Sequence, residues 1–408
     1  MNVDPARLER RIAELAAIGG SGTAVSRLGL SAEEQRARDL VAGWLAARGA
    51  RVRRDPAANL YARFGDDHMP CVLVGSHLDS VPEGGRFDGA LGVLCAVEAV
   101  ETLLDDGARF RRPVEVVGWA DEEGARFGIG LYGSSAAFGR LPDRAGERRD
   151  RDGVTIADAL RALGESGDPA GARRDPAEVA AYLELHIEQG PRLAERGAAL
   201  GVVSEIVGIL HARVTVHGRQ DHAGATVMTA REDALAAAAE MVVAVEAAAL
   251  GRPDAVGTVG EIAVRPGAKN VIPGECTFSL DLRARTDEVL EALARDVRAS
   301  IRRIGDARAV RSSIDVLSHV AAAPLDEGLR DLFQRAAASV GVEAAVLFSG
   351  AGHDAESCQL AGVRSGMLFV RSTGGSHTPR EHATVEDAVL GAQALAFALR
   401  ELAATPSA

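Results

Sequence analysis

The predicted order of strands and helices changes twice along the chain, and no other feature restricts the fold as strongly. From residue 71 to residue 185, short apolar runs with the length of buried strands alternate with helical patterns. The predicted strands are residues 71–75, 114–120 and 180–185, and residues 91–104 form the clearest helix. Alternation of this kind predicts a mostly parallel sheet with helices on both faces.

The order is different in the middle of the chain. Between residues 211 and 319 the pattern predicts strand, helix, two strands, helix and strand, over residues 212–217, 231–249, 256–264, 276–284, 287–304 and 313–318. This is the split β-α-β order of a ferredoxin-like α+β sandwich. We therefore expect an α/β protein of two domains. Residues 1–210 and 321–408 would form the mostly parallel α/β domain, and residues 211–320 the inserted ferredoxin-like domain.

Two other segments complete the predicted fold. Residues 5–49 carry apolar positions at helical spacing and predict two helices. Residues 142–175 are rich in Gly, Asp and Arg, and we expect an irregular excursion with one short helix there.

Composition excludes several classes of partner. The formal net charge of −12 argues against nucleic acid, because a polyanion requires clustered Lys and Arg. The N-terminus lacks the apolar core of a signal peptide. Residues 235–250 form the most apolar run, but Glu240 and Glu246 interrupt it, so the run predicts an amphipathic helix and not a membrane span. The four cysteines form no Cys-x-x-Cys pair, which is typical of reduced, buried thiols. We expect a cytoplasmic protein that binds neither nucleic acid nor membranes.

Residues that bind metals follow three of the predicted strands. His77 follows the first, Glu122 and Glu123 follow the second, and His186 follows the third. Ligands in open α/β sheets bind beyond the carboxyl ends of the strands, so these side chains should reach one rim. Asp88, at the end of a Gly-rich loop, and His377, in the returning C-terminal segment, can reach the same space. The pattern predicts a two-metal site.

Each of these residues also has an ordinary structural interpretation. A single histidine at a strand end is more often simply hydrogen-bonded, and Glu122 with Glu123 could form the first turn of a helix. Asp88 could be a turn residue or an N-cap, and Asp79 either orients His77 or only makes a turn. The metal site is favoured because independent strand ends supply metal-binding residues to one face.

Seven motifs together resemble one family of enzymes. They are GSHLDSVPEGGRFDGALGV, ADEEGARFG, ELHIEQGP, DHAGAT, KNVIPGECTFSLDLR, SGAGHDA and GGSHTPRE, in order from residue 75 to residue 381. They are similar to the metal-dependent amidases of the hydantoinase/carbamoylase group, within the M20 clan of dinuclear aminopeptidase-like hydrolases. That group includes N-carbamoyl-L-amino acid hydrolase, allantoate amidohydrolase and β-ureidopropionase.

The resemblance implies a ligand set for two divalent metal ions: His77, Asp88, Glu123, His186 and His377. Asp88 would bridge the ions, with His77 and His186 on the first and Glu123 and His377 on the second. Zn2+ is the first expectation, and Mn2+, Co2+ or Ni2+ would suit the same ligands. Relatives that act as peptidases usually carry an acidic ligand at the position of His186, so this histidine argues against a peptidase.

The resemblance also implies residues that bind the substrate. Gln189 would hydrogen-bond a ureido group, and Asn270 and Arg283 would hold the α-carboxylate. The inserted domain would act as lid and as the dimer surface. His222 of that domain would reach the neighbouring subunit's cleft and stabilise the developing oxyanion.

The implied reaction is hydrolysis of the carbamoyl C–N bond of a small N-carbamoyl-L-amino acid. A metal-bridged water would attack, with Glu122 as general base. Allantoate amidohydrolase or β-ureidopropionase activity would use the same mechanism. Two alternatives differ: an aminoacylase or dipeptidase that cleaves an ordinary amide, and a catalytically inactive binding protein. The complete ligand set together with Glu122 argues against the inactive protein.

Four positions lie outside the family pattern. Val227 stands where proline is common, and Thr378 and Arg380 stand where small residues are common. None is an expected ligand, so these differences bear on the identity of the substrate, Arg380 most of all because it lies close to His377. His211 lies near the predicted domain boundary and has no assigned role.

Overall fold

A computed structural model gives the structure of residues 2–66 and 68–405. The chain folds into two compact units. Of the described residues, the first comprises 2–66, 68–204, 324–349 and 353–405, and the second comprises Glu205–Ala323 with Gly350–Gly352.

The α-helices, in chain order, are α1 (Pro5–Ala16), α2 (Ala32–Ala47), α3 (Ala90–Asp105), α4 (Tyr132–Ala137), α5 (Ile156–Ala162), α6 (Arg192–Arg196), α7 (Ala234–Leu250), α8 (Asp287–Arg308), α9 (Glu327–Ser339), α10 (Asp354–Leu360) and α11 (Val385–Ala403). Short 3-10 turns occur at Ala145–Glu147, Pro169–Ala172, Pro176–Glu178 and Met228–Ala230. The excursion predicted at residues 142–175 therefore contains one short α-helix, α5, as expected.

The strands, in chain order, are β1 (Gly20–Ser21), β2 (Ala24–Val25), β3 (Arg51–Arg54), β4 (Leu60–Phe64), β5 (Cys71–His77), β6 (Arg109–Phe110), β7 (Val114–Trp119), β8 (Val179–Ile187), β9 (Leu200–Ile206), β10 (Gly208–His217), β11 (Asp221–His222), β12 (Ala255–Thr258), β13 (Ile262–Arg265), β14 (Val271–Ile272), β15 (Glu275–Ala284), β16 (Arg311–Val320), β17 (Ala323–Pro324), β18 (Ala345–Ser349), β19 (Ser365–Val370) and β20 (Ala404–Thr405).

The large sheet of the first unit has a parallel centre. Strands β19, β8, β5 and β7 are neighbours in that order and run parallel. Antiparallel strands flank them: β9 pairs with β19, β4 with β7 and β3 with β4. The predicted α/β class is confirmed, and the sheet is mixed because the short β3–β4 connection permits an antiparallel hairpin.

Helices cover both faces of this sheet. Consecutive residues of a strand point to opposite faces. Leu185 of β8 lies against Gly92 of α3 and Gly391 of α11, whereas its neighbour Glu184 accepts a hydrogen bond from the backbone N–H of Ala355 in α10. The sheet is therefore buried on both sides, and the rim beyond its strand ends is the place left open for a ligand.

Buried ion pairs join α1 to α3. Arg11 donates through Nη1 and Nη2 to the two carboxylate oxygens of Glu101, at 3.0 and 2.8 Å, and both side chains are buried. Arg7 donates to Glu98 and lies 3.2 Å from Glu101. Each buried carboxylate thus has a guanidinium partner, which offsets its loss of hydration.

The second unit is an antiparallel sheet with two helices. The sheet order is β12-β15-β10-β16, with β13 also on β15, and α7 and α8 share a hydrophobic core with the strands. The strand predicted over residues 256–264 is two strands, β12 and β13. The strand is interrupted where the side-chain oxygen of Ser279 accepts hydrogen bonds from the backbone N–H groups of Gly260 and Glu261. These two groups therefore do not pair with the backbone of β15.

The two strands that carry the predicted histidines are longer than expected. β5 ends at His77 and β8 ends at Ile187, so His77 and His186 lie within the strands instead of beyond them. The extra residues pair with neighbouring strands, His77 with Trp119 and His186 with Phe369. Such pairing is tertiary and leaves no local signal in the sequence.

The structure bears on two predictions made from the composition, one about the cysteines and one about membrane-spanning helices. The four cysteines are buried and carry free thiols. Across residues 2–66 and 68–405, no helix combines the length and the apolar character needed to cross a membrane.

Candidate metal and substrate site

Two histidines meet at the carboxyl end of the parallel strands. His77 of β5 and His186 of β8 are buried, and their Nε2 atoms lie 3.5 Å apart. Gly89 leaves room for the imidazole of His77, because a Cβ at this position, where φ is 62°, would overlap the ring. Both ring nitrogens face the carboxylate of Asp88.

The Asp88 carboxylate lies between two sets of donors. Its Oδ1 is 3.2 Å from Nε2 of His186 and 3.8 Å from Nε2 of His77, and its Oδ2 is 3.4 Å from Nε2 of His377. Helix α3 has Gly89 as its N-cap residue and no side-chain cap. The N-cap interpretation of Asp88 is therefore wrong, since its carboxylate turns toward the imidazoles.

A second set of donors shares Asp88. Nε2 of His377 lies 3.2 Å from Oε2 of Glu123. One ligand atom from each of Asp88, Glu123 and His377 falls within 4.8 Å of the others, and the same is true of His77, Asp88 and His186. His377 adopts a left-handed φ of 59°, a conformation that costs a non-glycine residue free energy and is common at functional sites.

Burial and neighbouring charges shift the acidities of these groups. Although burial opposes it, hydrogen bonds from His186 and His377 hold the pKa of Asp88 well below its usual value. Hydrogen bonds with Asp88 and Glu123 raise the pKa of His377 to about 10. Against the effect of burial, the charges of Glu122 and Asp79 raise the pKa of His77 well above its usual value.

This donor set fits divalent cations. Oε1 of Glu123 is buried and has no hydrogen-bond partner within residues 2–66 and 68–405. The carboxylates around His77, His186 and His377 raise the pKa values of these histidines, and the same negative charge favours a bound cation. Imidazole nitrogens and carboxylate oxygens suit Zn2+, Mn2+, Co2+ and Ni2+. The arrangement supports the use of divalent metal.

Glu122 borders the first set of donors. Its Oε2 lies 3.6 Å from Nε2 of His77 and its side chain is buried. Burial, with the nearby charges of Asp354, Glu123 and Asp79, raises the pKa of Glu122 well above its usual value, although His77 opposes this. A raised pKa means that this carboxyl group binds a proton more readily than an exposed glutamate does, which suits a residue that transfers protons.

Asp79 connects the first histidine to the two glutamates. Its Oδ1 lies 3.3 Å from Nδ1 of His77. Its two oxygens accept the backbone N–H groups of Glu122 and Glu123, at 3.0 and 3.1 Å. Asp79 therefore does more than make a turn, because it holds the segment after β7 against the end of β5.

Gln189 contacts the shared carboxylate. Its Nε2 donates to Oδ2 of Asp88 at 2.9 Å and to Oγ of Ser376 at 3.2 Å. Its Oε1 is buried and has no hydrogen-bond partner in the described part of the chain. Like His377, Gln189 has a left-handed φ, here 62°. The side chain thus presents an unused acceptor beside Asp88.

Three residues near the site were missed by the sequence reasoning. Oγ of Ser376 donates to Oδ2 of Asp88 at 2.8 Å. The ring of His353 packs edge-on against His186, with centroids 4.5 Å apart. Glu184 accepts a hydrogen bond from Oγ of Ser76 at 2.7 Å, and Ser76 is the residue before His77. All three lie within quoted motifs, Ser376 in GGSHTPRE, His353 in SGAGHDA and Glu184 in ELHIEQGP, so their position close to expected ligands was the available signal.

In the second unit, His222 and Asn270 lie close together. The backbone N–H of Ala223 donates to the carbonyl oxygen of Asn270, next to the β11–β14 pair. Nδ1 of His222 accepts the backbone N–H groups of Gly224 and Ala225, at 3.0 and 3.1 Å. An accepting Nδ1 places the ring proton on Nε2, so the exposed edge of His222 is a hydrogen-bond donor.

Arg283 belongs to a polar cluster on the sheet face opposite the helices. Asp281 pairs with it, and Nη1 of Arg283 donates to the carbonyl oxygen of Gly350 at 3.0 Å. His211, which had no assigned role, lies across from Asp281 in the ladder, with its Nε2 3.5 Å from Oδ2. Its Nδ1 lies 3.2 Å from Oγ of Ser318. Against the effect of burial, His211 and Arg283 hold the pKa of Asp281 below its usual value.

Three of the four atypical positions, all except His211, lie on the surface or in a turn. Val227 is 66% exposed and Arg380 is also exposed. Thr378 stabilises the turn after His377, because its Oγ1 donates to the carbonyl oxygen of Gly374 and accepts the backbone N–H of Arg380. The side chain of Thr378 therefore has a structural role in this loop.

Known proteins are similar to this chain over nearly its whole length. Residues 73–401 match the model of Peptidase family M20/M25/M40. An N-carbamoyl-L-amino acid amidohydrolase from Geobacillus stearothermophilus is 42% identical over 97% of this chain and 98% of its own length. An allantoate deiminase from Arabidopsis thaliana is 36% identical over 95% of this chain and 80% of its own length. The crystal structure of a hydantoinase/carbamoylase family amidase from Burkholderia ambifaria has a TM-score of 0.87 and 38% identity, covering 100% of this chain and 99% of that one.

Proposed function

Because the chain belongs to peptidase family M20/M25/M40, and within it to the hydantoinase/carbamoylase amidases, we propose that it hydrolyses the carbamoyl C–N bond of a small N-carbamoyl-L-amino acid. The observation that carries this proposal is the pair of donor sets that share Asp88, with Glu122 beside them. The similarity to the Geobacillus enzyme supports the substrate class. Hydrolysis of such a substrate yields ammonia, carbon dioxide and the free amino acid.

Five side chains are proposed to hold two divalent cations: His77, Asp88, Glu123, His186 and His377. When bound, the cations would polarise the carbamoyl oxygen and lower the pKa of a water molecule between them. Asp88 would contribute one oxygen to each, which agrees with its Oδ1 facing His77 and His186 and its Oδ2 facing His377. Zn2+ is the first choice, with Mn2+, Co2+ and Ni2+ as alternatives.

Glu122 is the proposed general base. It borders the first donor set and belongs to neither, so its carboxylate is available for proton transfer. It would take a proton from the attacking water and deliver it to the leaving nitrogen. Its raised pKa suits both steps, because the group must bind the proton and then release it.

Gln189 is proposed to recognise the carbamoyl group. Its Nε2 is used by Asp88 and Ser376, which leaves the buried Oε1 to accept an N–H from the substrate. A carbamoyl group offers a terminal NH2 there, whereas an acetyl group offers a methyl. An acceptor left unpaired in a buried site costs about 1 to 3 kcal/mol, so Gln189 favours carbamoyl over acetyl substrates.

The second unit is proposed to act as lid and to bind the rest of the substrate. His222, with its proton on Nε2, would donate to the developing oxyanion of the neighbouring subunit's substrate. Arg283 and Asn270 would bind the α-carboxylate, for which a guanidinium fixed by Asp281 is suited.

We also propose that the protein is a homodimer formed through the second unit and that it works in the cytoplasm. β16 lies at the edge of its sheet, and Val316 and Leu317 on it are half exposed. An exposed edge of this kind is a place where another copy can pair. The free thiols suit a reducing compartment. Light scattering of the purified protein tests the dimer.

Ammonia release tests the reaction. The metal-loaded protein is supplied with N-carbamoyl-L-amino acids, allantoate, N-carbamoyl-β-alanine and N-acetyl amino acids, and Glu122→Gln serves as the control. We expect turnover of a carbamoyl amino acid that is lost in the variant. Amino acid release from the N-acetyl compounds alone would refute the proposal in favour of an aminoacylase.

Allantoate is the second candidate substrate. The 36% identity to the Arabidopsis allantoate deiminase supports it, and the same site would carry out the reaction. Turnover of allantoate without turnover of any carbamoyl amino acid would assign the protein to this second function. Failure to bind metal and to turn over any compound would indicate an inactive binding protein.

A further inference from the structure

A buried glutamate holds the loop that carries Asp88. Glu381 lies in the segment after His377 and is 5% exposed. Its Oε1 accepts the backbone N–H groups of Phe87 and Asp88, at 3.1 and 3.0 Å. One side-chain oxygen thus fixes the backbone of the shared donor from a position almost 300 residues later in the chain.

The surroundings of Glu381 are shaped for this contact. Gly85 lies against its carboxylate, and a Cβ at that position would overlap Oε1. Oγ of Ser376 lies 3.3 Å from Oε2 of Glu381 and 2.8 Å from Oδ2 of Asp88. The carboxylate therefore contacts the backbone of the loop that carries Asp88, and Ser376 links it to the Asp88 side chain.

We propose that Glu381 is a positioning residue that sets the distance between Asp88 and His377. These two donors belong to the same set, and Nε2 of His377 lies 3.4 Å from Oδ2 of Asp88. Glu381 is four residues after His377 and binds the backbone at Asp88, so it ties the two ligand-bearing loops together. The proposal rests on the proposed two-metal function.

The length of the side chain matters more than its charge in this arrangement. The accepting oxygen must reach two N–H groups at once, and a shorter side chain would either lose them or draw the loops together. An amide oxygen accepts the same two hydrogen bonds, since backbone N–H donors require only an acceptor. Glu381→Gln should therefore preserve the site, and Glu381→Asp should disturb it.

Metal binding by the apoprotein tests this inference. Calorimetric titration with Zn2+ and metal analysis after dialysis give the number and affinity of bound ions. We expect two ions in the wild type and in Glu381→Gln. In Glu381→Asp the second ion should bind about 10-fold or more weakly, as is typical when a residue supporting a ligand is changed. Excess Zn2+ should restore activity to Glu381→Asp and not to Glu122→Gln.

Asp55 provides the matched control. It is also 5% exposed, and its Oδ1 accepts two backbone N–H groups, of Ala57 and Asn59, in the β3–β4 connection. Asp55→Asn should bind both ions as the wild type does. Wild-type affinity for the second ion in Glu381→Asp, or equal weakening in Glu381→Gln, would overturn the inference. Fewer than two ions in the wild type would instead remove the two-metal function on which it rests.

Discussion

Asp281 accepts two hydrogen bonds from Arg283, from Nε and from Nη2, each 2.9 Å long. The carboxylate fixes the plane of the guanidinium, and His211 approaches the same carboxylate from the next strand. The orientation of Arg283 is therefore set before any substrate binds, which lowers the entropic cost of binding a carboxylate.

Asp281→Asn should weaken substrate binding more than it slows the chemical step. The amide cannot accept both hydrogen bonds, so we expect KM to rise about 10-fold with kcat little changed, as for loss of uniform binding. Steady-state kinetics with a substrate that the wild type turns over in the ammonia-release assay measures both. Asp254→Asn, which breaks an exposed ion pair to Arg285, is the control. A fall in kcat alone would contradict the role given to Arg283.

Glu122→Gln should abolish turnover while leaving the metal content unchanged. The amide cannot carry the proton from water to the leaving nitrogen. Loss of a general base typically lowers the rate about 100- to 10,000-fold, and we expect kcat to fall by a factor in that range. Metal analysis of the variant should still give the wild-type value. A loss of metal together with activity would mean that Glu122 is a ligand and not the base.

Removing the metal should make the stability of the protein sensitive to alkali. In the metal-free protein the pKa of His377 is raised from 6.5 to about 10 by Asp88 and Glu123. A raised folded-state pKa stabilises the fold below pH 6.5, and the contribution is lost as the pH rises toward 10. Chelated wild type should therefore lose thermal stability over this window.

His377→Gln should show a smaller loss over the same pH window, because it lacks the titrating group. Metal loading near pH 7.5 should also release protons, since the ion replaces the His377 proton. Titration calorimetry in buffers of different ionisation enthalpy counts them. Equal pH dependence in the two chelated proteins would be evidence against this account.

The chain's apolar runs predicted the parallel centre of the sheet, because a buried strand needs side chains that tolerate burial on both faces. They also placed Glu123 and His186 at strand ends, and parallel strand ends meet at one edge. The length of β8 and the interruption at Gly260 were not predictable. They depend on Phe369 and Ser279, partners distant in sequence that periodicity does not reveal.

The supporting residues of the site were harder to predict than the donors. Asp79 was recognised as a possible support because it lies two residues from His77. Glu381 and His353 lie in two of the quoted motifs, but they act through contacts with loops and rings almost 170 to 300 residues away, which the motifs alone do not reveal. Left-handed conformations at Gln189 and His377 are equally invisible, because these residue types do not demand them.

Gln189→Met should reduce discrimination between carbamoyl and acetyl substrates. The thioether has a similar length and accepts hydrogen bonds only weakly, so the substrate NH2 loses its partner. We expect kcat/KM for the carbamoyl substrate to fall about 10-fold or more, as for one lost buried hydrogen bond. The value for the N-acetyl analogue should change little. Equal losses for both substrates would indicate a general role in holding Asp88.

Arg11→Gln should destabilise the first unit. It leaves the buried Glu101 carboxylate with Arg7 alone, 3.2 Å away, so we expect a loss of about 3 kcal/mol, at the low end for a broken buried pair. Thermal unfolding followed by circular dichroism measures the change. Arg10→Gln removes an exposed pair to Glu14 and should have almost no effect. Similar midpoints for the two variants would show that the buried pair adds little.

The chain leaves and re-enters the first unit at adjacent points, since the backbone N–H of Leu325 donates to the carbonyl oxygen of Ser204 at 3.0 Å. The hydrophobic core around α3 and α11 is built without any residue of the second unit. A short turn could therefore replace Glu205–Ala323, which is all of the second unit except Gly350–Gly352. The product would keep the five proposed metal ligands and lack His222 and Arg283, so another domain could be grafted at this junction.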